Sequence, residues 1–567
     1  MFKPQLINSL KNYSFKTFTS DLTSGIIVGL VALPMAIAFA IASGVSPEAG
    51  LFTAIVAGFC ISAFGGSTVQ IGGPTGAFAI IVYNIVAEYG IPGLATATLM
   101  AGIMLILLGA FKMGGLVKFI PYTIVTGFTA GIAVTIATGQ LGDFFGLTIS
   151  QFPAGFDKMP GDFVGKLRTY ALNITQVNWY SFAMAAICLV FLFTWPKIPS
   201  KVTKRIPASL IVIIVATVVS VLLAKYANLT TSTIGSRYGS IPSKLPSPKL
   251  PDLRLNTIVT LFPKAASIAV LAAIESLLSA VVADGMTGEK HDSNTELIAQ
   301  GIANIASPLF GGIPATGAIA RTATNIKNGG KTPVAGMIHA LTLLLVLLFL
   351  GKLAVYIPMA ALSAILINVA WNMAGFGAIK SLFKGQKSDI CVFLVTFLIT
   401  IFVDLTVAIG VGLGLAAFFF IKKMIDLSEV QNKRETLTGG ITAPDYPEEK
   451  LNIPEGVMVY EIDGPLFFGT VRKFEVAVEQ SQAQCKVLVI RMRNMIYLDA
   501  GGIRALEQAK NLCDKKKITM VLSGIHTQPY LLVEKTGMAD KLGRENICEN
   551  IDLALERAGN ILTENKK

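Results

Sequence analysis

Two short stretches hold the residues best placed to do chemistry without a reactive side chain: FGGSTVQIGGPTGAF at 64–78 and LFGGIPATGAIART at 309–322. Each has a Gly-Gly pair and a proline, then Thr-Gly-Ala at the head of an apolar helix: Thr75, Gly76 and Ala77 in one, Thr316, Gly317 and Ala318 in the other. A helix that begins inside hydrocarbon is tolerated only where its free backbone NH groups face a cavity or a ligand. Such a start, with the positive end of the helix dipole, holds an anion without any charged side chain. Pro74 and Pro314 suit a position at or before a helix start, where a missing NH costs nothing, and the glycines let backbone and anion approach closely. One such stretch would equally suit plain helix packing. Two matched copies point to a shared site.

Two charges sit inside apolar runs. Glu275 lies in AASIAVLAAIESLLSAVVAD, and Arg321 lies about one turn inside the helix that opens near Thr316. Charges within a membrane are costly and mark a pathway or a partner. Glu275 either carries a coupling proton or pairs with Arg321 as a fixed strut. Arg321 either adds positive potential below the anion site or neutralises Glu275. Ser279 shares a helical face with Glu275, four positions on, and Ser276 is adjacent; both either line the site or bond their own backbone. Pro34 interrupts VALPMAIAFAIASG and kinks the first span. The three histidines, His291, His339 and His526, stand apart from any catalytic set, and GEKHDSN around His291 and Asp292 is a polar loop. Six scattered cysteines form no CxxC pair. Neither an enzyme, a metal centre nor a cofactor is expected.

These residues need a membrane scaffold to position them, and composition supplies one. The 567 residues are 53% hydrophobic and 14% charged, with a mean hydropathy of +0.63, which places the chain among polytopic membrane proteins. Apolar runs follow one another from about residue 20 to 421, seven before the polar stretch near 226–262 and seven after it. Several are shorter than the roughly 20 residues of a full crossing. The net charge of +12 gathers at span ends, which argues for membrane topology and against nucleic acid. With Lys3, Lys11 and Lys16 holding an uncleaved N-terminus in the cytoplasm, the loops carrying Lys112 and Lys118, then Lys197, Lys201, Lys204 and Arg205, then Lys327 and Lys331, and finally Lys422 and Lys423, fall on the same side. An odd number of spans per half brings the second repeat in upside down, so the two Thr-Gly-Ala starts point at each other. That is the pattern of a secondary transporter with its substrate between two broken helices. From Ser428 onward the chain turns charged. Strand signals at 457–462, 486–492 and 518–524 with a helix at 501–515 describe a small α/β domain, cytoplasmic after an even number of spans.

LPMAIAFAIASGVSPEAGLFTAIVAG (33–58), QIGGPTGAF (70–78), AAIESLLSAVVAD (272–284), GGIPATGAIARTATN (311–325) and NGGKTPVAG (328–336) together resemble the SulP family of anion transporters. The resemblance spans nearly the whole chain. It implies a polytopic α-helical fold of seven plus seven inverted spans, a core domain moving against a gate domain, and a cytoplasmic STAS domain. The organisation expected is a cytoplasmic segment at 1–20, a transport domain at 21–425 with repeats at about 21–225 and 264–425, and STAS at 436–560. The substrate would lie between the starts of spans 3 and 10, matched here by Gly76, Ala77, Thr316, Gly317 and Ala318, facing span 8 and, on span 1, Met35 and Phe39. Members are typically dimers. Met35 stands where many relatives have glutamine, so no side-chain amide contact is expected there. Sodium-coupled relatives place an aspartate near Glu275 and a hydroxyl near Ile319; glutamate and isoleucine favour a coupling proton. In the STAS loop YLDAGGIRAL, Asp499 is followed by Ala500 and Gly501, leaving no phosphorylatable residue. The expected function is secondary active transport of a small anion through a bacterial inner membrane, sulfate first and bicarbonate or dicarboxylate next. A sodium-coupled bicarbonate transporter, a passive channel or exchanger of the same fold, and an anion sensor are the alternatives.

Overall fold

A computed structural model describes residues 2–11, 13–115, 121–153, 156, 159–198, 207–239, 248–403, 405–432, 451–480 and 485–564. Lys118, Lys201, Lys204, Arg205 and the stretch 436–450 lie outside the described residues. The chain divides into two compact units, Met1–Leu413 and Gly414–Lys567.

The first unit is helical. Its first half holds α1 (Phe15–Ala42), α2 (Pro47–Phe64), α3 (Phe78–Ala110), α4 (Tyr122–Phe144), α5 (Trp179–Thr194) and α6 (Ala208–Ala227). Its second half holds α7 (Leu255–Thr287), α8 (Ser293–Leu309), α9 (Ile319–Lys327), α10 (Pro333–Leu350), α11 (Met359–Ala374) and α12 (Lys387–Phe402), followed by α13 (Leu405–Leu427), within which the unit boundary falls. Among the described residues, ten helices are long and apolar enough to cross a membrane. α3, 33 residues long, breaks into two helices at Gly90, whose φ of 69° is a conformation that glycine tolerates and other residues resist. Counting α3 twice and adding the shorter or more polar α8, α9 and α12 gives seven passes in each half.

The packing obeys an exchange of the halves. α8 lies against the far part of α3 as α10 lies against α2; α7 meets α3 as α10 meets α1; α5 meets α11 as α12 meets α4. This is the geometry of inverted repeats. Between membrane helices, contact rests on close packing of small residues rather than on a hydrophobic driving force. Gly102 of α3 and Gly301 of α8 show it: a Cβ added to either would lie 2.7 Å or 2.5 Å from the other's carbonyl oxygen. Gly301→Val therefore forces the two helices apart and destabilises the core by about 3 kcal/mol. Thermal-shift measurement on detergent-extracted protein should show that loss, whereas Gly410→Ala, where a Cβ meets nothing within 4 Å, should leave the transition in place.

Polar residues extend α1 beyond the apolar run that begins near residue 23. Ser14 caps it by accepting from the amide of Thr17. Asp21, fully buried, accepts from the Lys331 amide at 2.8 Å and from the hydroxyls of Thr332 and Tyr13. With the carboxylate satisfied, a polar turn is tolerated where hydropathy alone reads as loop. The connection near 146–178 likewise contains a helix, Phe163–Leu172, capped by Asp162.

The second unit is a five-stranded sheet in the order β3-β4-β5-β6-β7, with β3 (Glu429–Asn432) antiparallel to β4 (Val457–Asp463), and β4, β5 (Val487–Asn494), β6 (Thr519–Ser523) and β7 (Ile547–Cys548) parallel. Strand and helix alternate, so apolar side chains fill both faces of the sheet. Asp499 caps the helix Ala500–Lys515 through the Gly502 amide at 2.8 Å and also accepts from the Phe468 amide. Its carboxylate is spent on holding the loop.

Candidate functional site

The two repeats meet. Gly72–Gly73 (β1) pairs antiparallel with Thr316–Gly317 (β2), with Gly72 opposite Gly317 and Gly73 opposite Thr316. Equivalent positions of the two halves run in opposite directions, as an axis relating inverted repeats requires. Immediately past the pairing, α3 starts after Ala77 and α9 after Ala318, and no side chain caps either start. The amides of Phe78 and Ala79 turn back onto the carbonyls of Thr75 and Gly76. Those of Gly76 and Ala77, and of Ile319 and Ala320, find no acceptor among the described residues. Unpaired amides at a helix start are the expected leftover of helical geometry; here two sets are brought together with a shared polarity.

The pairing engages the backbone of Thr316 and Gly317 and a donor expected at the site. The Ala318 amide donates to the Ile71 carbonyl at 2.8 Å, so on the second helix the free donors begin one residue later. Both threonines turn away from their helix starts and onto α7. Thr75 donates to the Glu275 carboxylate at 2.9 Å, and Thr316 to the Ala272 carbonyl at 3.0 Å. One face of α7 thus fixes both starts.

Arg321 and Glu275 do not pair: among the described residues no carboxylate lies within ion-pair distance of Arg321, which goes against the strut alternative. Arg321, 2% exposed, instead donates from Nη2 to the Pro74 carbonyl at 2.9 Å, and its Nη1 has no hydrogen-bond partner among the described residues. A cation rooted in α9 therefore ties down the loop that begins α3. A backbone carbonyl satisfies the fork because guanidinium carries five donors and needs no anion to engage one of them. The charge stays uncompensated beside the two starts.

Ser276 and Ser279 are fully buried and occupied elsewhere. Ser276 donates to Glu296 at 3.2 Å and accepts from Gln70, while Ser279 lies 3.3 Å from the Thr322 hydroxyl. Neither is left to line the site; both belong to a layer behind it. The centre of that layer is Glu296 on α8, whose carboxylate accepts from the Gly66 amide, Gln70, Ser276 and Gln300. Asn304, two turns on, holds both the NH and the carbonyl of Ala315, setting the approach to Thr316. Glu296, Gln300 and Asn304 repeat at helical spacing in NTELIAQGIAN, a polar stripe that was there to be found.

On the first span, Phe39 is buried and Met35 half-buried. A Cβ at Gly76 would lie 3.1 Å from the Phe39 ring, 2.8 Å from Ile136 Cδ1 on α4 and 3.5 Å from Met373 Sδ on α11. Glycine is needed for that approach, and Ile136 and Met373 supply an apolar wall from helices outside the repeat motif. Ile319, by contrast, is 44% exposed between buried Ala318 and Arg321, so the second start meets open space. Among the described residues no cluster of three or more His, Cys, Asp or Glu is placed to hold a metal ion. What the arrangement offers is a neutral, amide-lined cradle with a cation behind it.

A family model described as the sulfate permease family matches residues 18–396, and a STAS domain model matches 450–554. YvdB of Bacillus subtilis (strain 168), provisionally named a sulfate transporter, is 42% identical across 96% of this chain and 98% of its own. The bicarbonate transporter BicA of a Synechocystis species is 30% identical across 96% of this chain and 95% of its own. Among solved structures, the transmembrane domain of a cyanobacterium bicarbonate transporter BicA superposes with a TM-score of 0.60 at 30% identity, covering 71% of this chain and 98% of that chain. The murine anion transporter Slc26a9 shares the fold, with a TM-score of 0.85 at 20% identity over 98% of this chain and 94% of its own.

Proposed function

The chain belongs to the sulfate permease family, and from that premise we propose that it carries a small anion across a membrane by alternating access between its core and gate helices. The supporting observation is the pair of uncapped helix starts held antiparallel at β1 and β2, with the amides of Gly76, Ala77, Ile319 and Ala320 unpaired among the described residues. Backbone amides that point at a desolvated anion supply hydrogen bonds with no flexible side chain to order. Arg321 adds positive potential from behind, and Phe39, Ile136 and Met373 close the cradle on its apolar side.

Sulfate is the first expected cargo, since a relative at 42% identity bears that name; bicarbonate is second, on the name of BicA. Glu275 is the coupling group in this reading. It is free of Arg321 and reaches the first helix start through Thr75, so a proton on this carboxyl and an anion on the amides would sense each other. The reading includes a homodimer in the cell membrane with the N-terminus and the STAS domain in the cytoplasm.

Full-length protein in proteoliposomes, given radiolabelled sulfate, bicarbonate and succinate under an imposed proton or sodium gradient, tests this. Acidifying the outside should drive sulfate inward, and a sodium gradient should not. Uptake driven by sodium alone would overturn the coupling. A current that far exceeds any accumulation would replace the carrier with a channel.

A further inference from the structure

A second feature of the transport unit faces the same route. A cavity of about 250 Å³ lies between Ala79, Ile80 and Tyr83 of α3, Ile136 and Gln140 of α4, and Lys166 of the helix Phe163–Leu172. It begins where the central cradle ends. Ile136 lines it and also sits against Gly76, so this side chain borders both spaces. On the topology argued above, this is the end away from the cytoplasm.

Its polar groups are unevenly spent. Arg237 is engaged by Asp143 in a two-pronged bond of 2.8 and 3.0 Å. The Tyr170 hydroxyl donates to the Gly139 carbonyl, and the Tyr83 hydroxyl to the Met159 carbonyl. Besides the Tyr238 hydroxyl, two side chains keep donors unspent among the described residues. Gln140 is 5% exposed, and its carboxamide has no hydrogen-bond partner among the described residues. The Lys166 ammonium lies 4.6 Å above the Tyr83 ring with no carboxylate within ion-pair distance among the described residues. Burial holds the Lys166 pKa below the ordinary lysine value, with Asp162 opposing. The Gln140 amide and the Lys166 ammonium open onto the cavity, where a polar solute or water can pair with them. Of the charged side chains that line the space, Lys166 and Arg237 outnumber Asp143, while Asp162, which caps the Lys166 helix, opposes from beside it.

We propose that this cavity is an outer anion site, in which Lys166 and Gln140 hold the same class of solute that the central cradle carries, before Ile136 gives way. The proposal rests on the transport reading above. It makes Lys166 and Gln140 determinants of affinity from one face of the membrane only.

The test is initial-rate uptake of labelled sulfate and of labelled bicarbonate, each in turn, by right-side-out and inverted membrane vesicles containing the full chain. Lys166→Gln should raise the external KM roughly tenfold, the worth of one charged hydrogen bond, and leave the KM from the cytoplasmic face unchanged. Lys166→Arg should restore it, and Gln140→Leu should raise the external KM by a few-fold. An external KM that stays put, an equal rise at both faces, or a Lys166→Arg variant as inactive as Lys166→Gln would each overturn the outer site. Should Lys166→Gln fail to reach the membrane, Gln140→Leu decides by the same two readings. Wild-type vesicles that take up neither anion sink the transport reading itself; wild-type uptake with an unmoved external KM sinks the outer site alone.

Discussion

Arg321→Met reduces anion uptake by roughly a hundredfold while the protein still inserts. Two losses add. The Pro74 carbonyl, which accepts from Arg321 at 2.9 Å, is left buried without a donor, at a cost of about 1–3 kcal/mol. The positive charge beside the two helix starts also goes, and in a site with little water its attraction for a bound anion is worth far more than at a surface. Arg321→Lys keeps the charge but not the planar fork, so it should recover part of the rate and little of the loop's order. Uptake per unit of monodisperse protein, measured beside the wild type, separates the two contributions. A methionine variant with normal uptake would show that the cation is only a packing element.

Glu275→Gln produces the second large effect, and it is selective. A glutamine carbonyl still accepts from Thr75, now at 2.9 Å from the carboxylate, so the start of α3 keeps its anchor. What disappears is a group able to take up and release a proton during the cycle. Each pH unit is worth 1.36 kcal/mol per coupled proton, roughly tenfold in accumulation. The wild type should therefore concentrate sulfate about tenfold more for each unit of external acidification, and Glu275→Gln should not respond. Anion-for-anion exchange should stay within a few-fold of wild type. Accumulation that follows the proton gradient as before would remove Glu275 as the carrier.

Much of this site was legible because its parts are local. Gly-Gly, proline and Thr-Gly-Ala lie within fifteen residues of one another in each repeat, and a helix that starts in hydrocarbon needs such residues wherever it occurs. The break at Gly90 was visible as well, as a gap between apolar runs that holds Gly90 and Pro92. What sequence could not disclose was which groups meet. Arg321 was offered one partner, a carboxylate, because carboxylates are the acceptors that sequence displays; its actual acceptor is the Pro74 carbonyl, and every residue has a carbonyl. The Ala318 amide was counted as free because the strand pairing that consumes it joins residues 247 apart, Ile71 and Ala318. Ser276 and Ser279 have the right position along α7 but bond inward, toward Gln70, Glu296 and Thr322, and only the packing of α7 on its neighbours decides that direction. Ile136 and Met373 carry no local signature at all. They are ordinary apolar residues of α4 and α11, and they matter because the fold seats them on Gly76.

The arrangement also explains why the site needs so little side-chain chemistry. A charged ligand set would bind a desolvated anion tightly and release it slowly. Amides on two opposed helices bind more weakly, which on the proposed reading suits a cargo that must be released. Glu296 and Asn304 hold the approaches to the two helix starts through the Gly66 and Ala315 amides.

The central claim concerns those amides, and one measurement addresses it directly: a high-resolution structure of the full chain saturated with the anion it transports. The anion should sit with its oxygens about 3 Å from the backbone nitrogens of Gly76, Ala77, Ile319 and Ala320, with Arg321 behind the Pro74 carbonyl and outside direct contact. An anion coordinated by side chains elsewhere, with these four amides facing packed apolar groups, would contradict it.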